Sequence, residues 1–547
     1  MTLGMMMNRP LSIAAIMEFA AQVFAPAEIV SALPQGVLSH TYAASWRRIA
    51  QLAHALVGMG VKSGDRVATL AWNSHRHFEL YYAIAGIGAV CHTINPRLFA
   101  DQIAYIARHG GARHFFFDAS FAATVDALLV EIPAAASAVL LGEEGDIAGL
   151  GMSAPVRAYE AEIAGNPETF DWPEFDENQA SGLCYTSGTT GNPKGALYTH
   201  RSNVLHALFS IASGFGGLTA GARILPAVPL FHVNAWGLPY SAPLCGASII
   251  MPGAKLDGQS LFDLIEVQKV DSLWGVPTVW VGLVQEMERR GRAPESLRNA
   301  VIGGAPATAR LIDGLEGDWG LEVQHAWGMT EMSPIGTVGV LPPQHQAKPV
   351  HERRQFKRYQ GRRVYGVDMA IRDANGRVLP NDGFAQGELC VRGPSVIARY
   401  YAAPEASRGA FTEDGWFRTG DVARIHPEGF LEIVDRVKDL IKSGGEWISS
   451  AELESVASTH PSVQMCAAIG VPDPRWGERP ALFILPKPGM PVEPESMRSH
   501  MAAHMARWQV PDLYQIVDSL PMTATGKVSK QILRATFAAA TKEESSS

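Results

Sequence analysis

A chain of 547 residues is too long for one ordinary hydrophobic core and predicts two or three domains. With 47% hydrophobic and 18% charged residues, the composition excludes a disordered or fibrous protein. The formal charge of -8, from 46 basic and 54 acidic side chains, gives no global positive field for nucleic acid, so anions must be bound locally.

The five cysteines are odd in number, far apart and without C-x-x-C spacing. That argues against a disulfide framework or zinc ribbon and for a reducing compartment, read here as the cytoplasm. The opening apolar stretch from Leu11 to Ala25 resembles a leader, but Glu18 interrupts it, and an amphipathic helix explains the spacing better. No window reaches the roughly eighteen uncharged apolar residues of a membrane helix.

From about residue 40 to 335, short apolar runs alternate with helical patterns, as in VATLAW then FELYYAIAGIGA, or LRNAVIGGA then TARLIDGL. This alternation predicts an α/β domain with mostly parallel strands. His75 and His77 are spaced like a metal pair on a strand but lack a third ligand, and Gly86 and Gly88 begin a dinucleotide fingerprint whose third glycine is missing. Neither is assigned a function. After residue 340 the texture turns antiparallel, with a hairpin turn at Asn375-Gly376. The basic run from Arg353 to Arg363 reads as a solvated face. FLEIVD then leads into KDLIKSGG, where Ser449 and Glu452 are spaced as a capping box, and TKEESSS reads as a disordered tail. The boundary falls near 437, dividing the chain into 1–437 and 438–547.

The strongest chemical signal is YTSGTTGNPKG at 185–195, between the apolar run GLCY and a helix expected from Thr199. A strand ending in such a loop offers phosphates backbone amides, the hydroxyls of Ser187, Thr189 and Thr190, the point charge of Lys194, and close approach at Gly188, Gly191 and Gly195. It is not the kinase and GTPase P-loop, because Pro193 stands where that motif needs glycine before lysine.

This loop resembles the signature of the adenylate-forming superfamily, which includes acyl-CoA synthetases, luciferases and peptide-synthetase adenylation domains. Further signatures follow in the family's order: PLFHVNAWG (229–237), HAWGMTE (325–331), GWFRTGD (415–421), DRVKDLIKSGGEWIS (435–449) and PMTATGKVSK (521–530). The texture of SGGEWIS and LFHVNAW is most similar to medium- and long-chain fatty acyl-CoA synthetases and methylmercaptopropionate ligases. The resemblance implies an adenylate-forming fold: a large N-terminal α/β domain with a β-barrel-like part, and a small mobile α+β C-terminal domain.

The resemblance also implies roles. Attack of a carboxylate on the α-phosphorus brings two anions together, so the site must supply positive charge and geometry. Lys527 then reaches from the small domain to neutralise developing charge, with Lys194 and His232 as further catalytic groups. Thr186 and Glu331 hold Mg2+, a hard cation suited to oxygen ligands. The nucleotide lies against Thr186, Ser187, Gly188, Thr189, Thr190, Gly304, Ala305, Ala326, Trp327, Gly328 and Thr330. Asp421 accepts from the ribose hydroxyls, Arg436 adds a ribose contact, Lys438 and Lys442 complete the nucleotide set, and Trp327 replaces the family's tyrosine as the ring stacked on adenine. His232, Asn234, Trp236 and Gly303 line the acyl pocket. Lys438 is the hinge, and Lys442, Gly444, Gly445 and Trp447 form the coenzyme A face.

The expected reaction joins a carboxylic acid to coenzyme A at the expense of ATP, through an acyl-adenylate, with a medium- or long-chain fatty acid or a small thioether acid as substrate. A homodimer is expected from relatives. The rival readings are a ligase that loads a carrier protein, a luciferase-like monooxygenase, and a nucleotide-binding scaffold without catalysis. Retention of Lys527, Glu331 and Asp421 opposes the last.

Overall fold

Residues 4–132, 134–135, 137–186, 192–444, 446–522 and 528–546 are described in a computed structural model. The opening apolar stretch forms the helix Ile13–Val23, whose N-cap Ser12 accepts from the amide of Ala15. Ile13, Ile16, Met17 and Ala20 are buried while Glu18 stays on the polar side, the pattern an amphipathic helix requires.

Two sheets carry the large unit. One has seven strands, in the order Arg157–Ala158, Ser137–Leu140, Ala112–Phe117, Arg66–Leu70, Val90–Thr93, Ala180–Tyr185 and Gly195–Thr199. All its pairings are parallel except the last. The other has nine strands, parallel through the middle from Glu322–Gly328 to Glu28–Leu33 and antiparallel at both edges. Continuous apolar runs such as Ser248–Met251 are buried at every residue, as expected of parallel strands covered on both faces.

His75 and His77 lie in the first turn of the helix His75–Gly86, not on a strand. The N-cap Ser74, which accepts from the amide of His77, starts that helix where alternation alone suggested extension. Both rings are buried and bonded within the protein, His75 to Ser31 and His77 to Thr69. Burial pushes the His77 imidazole down to about 4.

The basic run departs from the expected solvated face at one residue, Lys357, while Arg358 and Arg363 stay exposed. Val350–Arg358 is a helix, and Lys357 is buried, donating to the carbonyl of Val323 at 2.7 Å and pairing with Glu316 at 3.4 Å. A charge run can be read as solvated only when no counter-ion lies across the fold, and here Glu316 supplies one.

Beyond this helix, Asp368–Arg372, Gly387–Arg392, Phe417–Ile425 and Leu431–Arg436 form an antiparallel four-stranded meander. This is the barrel-like part of the expected fold, and among the described residues it is an open sheet rather than a closed barrel. The turn at Asn375-Gly376 is present, with Gly376 at φ 80°.

The small unit holds a five-stranded sheet and two apolar clusters of its own, one around Ile441, Leu453, Leu482 and Ile484, the other around Ile469, Phe483 and Leu533. Ser449 caps the helix Ser450–Ser458 by accepting from the amide of Glu452. The final helix runs Lys530–Ser546, so the expected tail continues it; Ala, Lys and Glu are strong helix formers.

Candidate active site

The phosphate-type loop joins two antiparallel strands, Ala180–Tyr185 and Gly195–Thr199. It is therefore a hairpin loop, and the helix His200–Ala212 begins only after the second strand, with Thr199 as its N-cap. Ser187, Gly188, Thr189, Thr190 and Gly191 lie outside the described residues. At the hairpin's rim, Thr186 and Lys194 close on each other: Thr186 N–H donates to the Lys194 carbonyl at 2.9 Å, and Lys194 N–H donates to Thr186 Oγ1 at 3.2 Å.

The segment Ala326–Glu331 reaches this hairpin through three tyrosines. Tyr198 Oη donates to the carbonyl of Thr330 at 2.6 Å, and Tyr401 N–H donates to the carbonyl of Gly195 at 2.8 Å. Between them Tyr400 donates its hydroxyl to Glu331 Oε1 at 2.7 Å, while Lys194 Nζ lies 5.1 Å from the centroid of the Tyr400 ring. One aromatic ring thus carries the loop lysine on its face and the buried carboxylate at its tip. Glu331 is only 5% exposed, and burial raises its pKa against the opposing bond from Tyr400. Tyr400 sits in ARYYAAPEA, between the recognisable motifs. No local pattern there distinguishes it from a core tyrosine.

A second carboxylate, Asp421, is 3% exposed on the strand Phe417–Ile425. Arg436 Nε meets its Oδ1 at 2.7 Å from the neighbouring strand, and Trp327 Nε1 donates to its Oδ2 at 2.9 Å. Trp327 therefore touches the carboxylate expected to receive the ribose, in addition to offering a ring for stacking.

The acyl-side motif has an unusual backbone. Val233, Asn234, Ala235 and Trp236 all have positive φ, from 44° to 59°, followed by Gly237 at 82°. Left-handed conformation costs a non-glycine residue roughly 1–2 kcal/mol, so the surroundings must impose this turn. They do so from the helix His75–Gly86 and its lead-in. Asn73 receives the amide of Leu230 and donates to the carbonyls of Pro226 and Val228, while Tyr81 Oη donates to the carbonyl of Leu230 at 2.6 Å and meets Asn234 Oδ1. Asn234, expected at the acyl pocket, has its side chain turned to Tyr81 and Cys184 and acts as part of this clamp. Trp236 packs on the Gly303-Gly304 turn: a Cβ at Gly303 would lie 3.1 Å from its ring, and Gly304 has φ 77°. Ala305 follows in the same turn. His232 precedes the left-handed residues with an ordinary extended φ of -122°.

Another residue outside the motifs ties these segments together. His206 is buried, its Nε2 accepts the amide of Ile335 at 3.0 Å, and its ring covers Gly237, where a Cβ would stand 2.5 Å from it. Burial lowers its pKa to about 3, so it remains a neutral acceptor.

In the small unit, Lys442 and Trp447 face each other across the hairpin Ile441–Ile448, with Nζ 5.5 Å from the ring centroid. Trp447 is half exposed. Gly444 stands at φ 63° with the Trp476 ring where a side chain would begin, which is why glycine is needed there. Gly445 and Lys527 lie outside the described residues. Lys438 leaves the meander at the entry to this unit; its carbonyl accepts from Arg534, and burial lowers its pKa. Beside it, Asp435 Oδ2 accepts from the amide and hydroxyl of Ser450, both at 2.6 Å, and Lys530 bridges Ser450 to Glu454.

Two buried carboxylates, a lysine-bearing loop and a ring beside the second carboxylate thus lie on the motif-bearing segments of the large unit. Comparison with known proteins agrees. The AMP-binding enzyme model matches residues 19–401, and the AMP-binding enzyme C-terminal domain model matches 452–527. The chain is 43% identical to a 3-methylmercaptopropionyl-CoA ligase of Ruegeria lacuscaerulensis over 98% of this chain and 99% of that one. It is 42% identical to a medium-chain-fatty-acid–CoA ligase of Ectopseudomonas oleovorans over 97% of each. Among solved structures, an anthranilate CoA ligase in complex with anthranoyl-AMP superposes with TM-score 0.86 at 25% identity, covering 98% and 99% of the two chains. This chain belongs to the AMP-binding enzyme family, and it has the adenylate-forming fold with a large α/β domain and a small C-terminal domain.

Proposed function

We propose that this protein is an acid–thiol ligase that converts a medium- or long-chain fatty acid, or methylmercaptopropionate, into its coenzyme A thioester. The observation that carries the reading is the joining of Lys194 and Glu331 through Tyr400, beside the Trp327–Asp421–Arg436 cluster. That arrangement offers separate places for phosphates and for a ribose.

In the first step a carboxylate oxygen attacks the α-phosphorus, the bond to the β-phosphate oxygen breaks, and diphosphate leaves. In the second the thiol sulfur attacks the acyl carbonyl, the acyl–phosphate bond breaks, AMP leaves and the thiol proton passes to solvent or to the leaving phosphate. Lys194 would hold the phosphates and Lys527 would neutralise charge developing around the α-phosphate. Asp421 and Arg436 would orient the ribose, with Gly304, Ala305, Ala326, Gly328 and Thr330 forming the wall around the nucleotide. His232 and Trp236 would separate nucleotide from acyl chain.

Among the described residues no three His, Cys, Asp or Glu side chains cluster tightly enough to hold a metal alone. Thr186 and Glu331 are hard oxygen donors of the kind that share magnesium with substrate phosphates, so the residues fit that ion. Magnesium would supply charge neutralisation for the diphosphate leaving group. Rotation about Lys438, between 1–437 and 438–547, would exchange Lys527 for the face made by Lys442, Gly444, Gly445 and Trp447. A homodimer in the cytoplasm is part of the same proposal.

The test is an assay that depends on both ATP and coenzyme A, run across straight-chain acids from acetic to palmitic plus methylmercaptopropionate, with product masses read directly. Thioester, AMP and diphosphate in equal amounts are expected. Acyl-AMP accumulating without thioester would replace coenzyme A by another acceptor, and predominant use of aromatic acids would overturn the substrate class.

A further inference from the structure

We propose that the indole N–H of Trp327 is a determinant of ribose recognition, acting through Asp421; this rests on the nucleotide reading above. Asp421 is a nearly buried carboxylate with a separate donor on each oxygen: Arg436 Nε on Oδ1 at 2.7 Å and Trp327 Nε1 on Oδ2 at 2.9 Å. The two donors come from different parts of the fold. Arg436 is the cross-strand partner of Asp421 in the meander, whereas Trp327 lies near the end of the strand Glu322–Gly328 in the nine-stranded sheet.

Two donors on opposite oxygens fix the carboxylate plane. Each donor restrains rotation about the Cβ–Cγ bond, a broad two-fold torsion, from its own side. The plane matters because two vicinal ribose hydroxyls must each find an oxygen at hydrogen-bonding distance. The arrangement is also built for this ring. Trp327 pairs with Thr337, and the neighbouring Gly336 leaves the space the indole fills, since a Cβ there would stand 2.6 Å from Trp327 Cζ3.

Stacking and donation are separable. A phenyl or phenol ring at 327 retains an aromatic face for adenine, but neither carries a donor on the flank of the ring where the indole nitrogen sits. Trp327 is thus a positioning residue for Asp421 as well as a stacking surface.

The test compares wild type, Trp327→Phe and Trp327→Tyr with ATP, 2′-deoxy-ATP and 3′-deoxy-ATP. Exchange of diphosphate into ATP reports turnover, and calorimetric binding of AMP and 2′-deoxy-AMP reports affinity without turnover. Both variants are expected to weaken ATP and AMP binding about tenfold, the order for a hydrogen bond to a charged group, while the deoxynucleotides change by less than about threefold. The preference for the ribonucleotide therefore shrinks. Gly336→Ala, which crowds the ring at Cζ3, is expected to shrink it too. An equal loss for ribo- and deoxynucleotides would show that only stacking was removed, and an unchanged preference in folded variants would equally overturn the proposal. If the wild type shows no diphosphate exchange, the ligase reading fails, while the ratio of AMP to 2′-deoxy-AMP binding still decides the role of Trp327.

Discussion

The buried carboxylates of the large unit and the exposed face of the small one are built to opposite rules. Glu331 and Asp421 are almost fully buried and each already has protein donors, from Tyr400 in one case and from Trp327 and Arg436 in the other. Lys442 and Trp447 stand on a short two-stranded hairpin, exposed, with one loose cation–π contact between them. Groups that must meet developing charge gain from being held before the substrate arrives. A face that is proposed to join and leave the large unit gains from having few commitments of its own. The difference fits the proposal that the large unit stores geometry and the small one moves.

The largest effect that would break this comparison is expected where the small unit must deliver one charge to the large one. Lys527→Ala should lower acyl-adenylate formation about a hundredfold to a thousandfold, yet leave thioester formation from supplied acyl-adenylate nearly intact, as measured by the two half-reactions separately. Equal loss in both would mean the lysine is structural. Next comes Glu331→Gln, which should weaken magnesium-dependent ATP binding about a hundredfold while leaving metal-free AMP binding close to normal, read by calorimetry with and without the ion. Tyr400→Phe keeps the ring beneath Lys194 and removes only the hydroxyl on Glu331. It should raise the magnesium concentration needed for half-maximal ATP binding about tenfold, and an unchanged requirement would dissociate Tyr400 from the carboxylate. The smallest change is expected in the exposed hairpin. Lys442→Ala should raise the KM for coenzyme A about two- to fivefold, in line with an exposed charge contact, and change diphosphate exchange by less than that. If that substitution matched Glu331→Gln in size, the contrast between a preset and an uncommitted face would be wrong.

Legibility followed the same division. YTSGTTGNPKG could be read because glycine, hydroxyl and charge recur within a few residues, and HAWGMTE and GWFRTGD because they resemble a family's signatures. Tyr400, Tyr198 and His206 could not. Each acts on a partner 69 to 132 positions away, and nothing in its own neighbourhood marks it. Two misreadings have the same origin. The strand-to-helix loop became a hairpin because the five residues Gly195–Thr199 pair back onto Ala180–Tyr185. In the basic run only Lys357 escapes the solvated reading, because Glu316 lies beneath it. Trp327 was legible as an aromatic in a nucleotide motif, but its hydrogen bond to Asp421 spans 94 positions.

By itself, then, the sequence determined the alternation of strands and helices, the order of the motifs and the chemical types gathered in each, because these depend on residues close along the chain. Only the tertiary structure decided which carboxylate each aromatic holds, how Val233–Trp236 is kept left-handed by Asn73 and Tyr81, and that Tyr400 joins Lys194 to Glu331. Those outcomes depend on burial and hydrogen-bond geometry between distant segments, where the gain from each contact exists only once the sheets have packed.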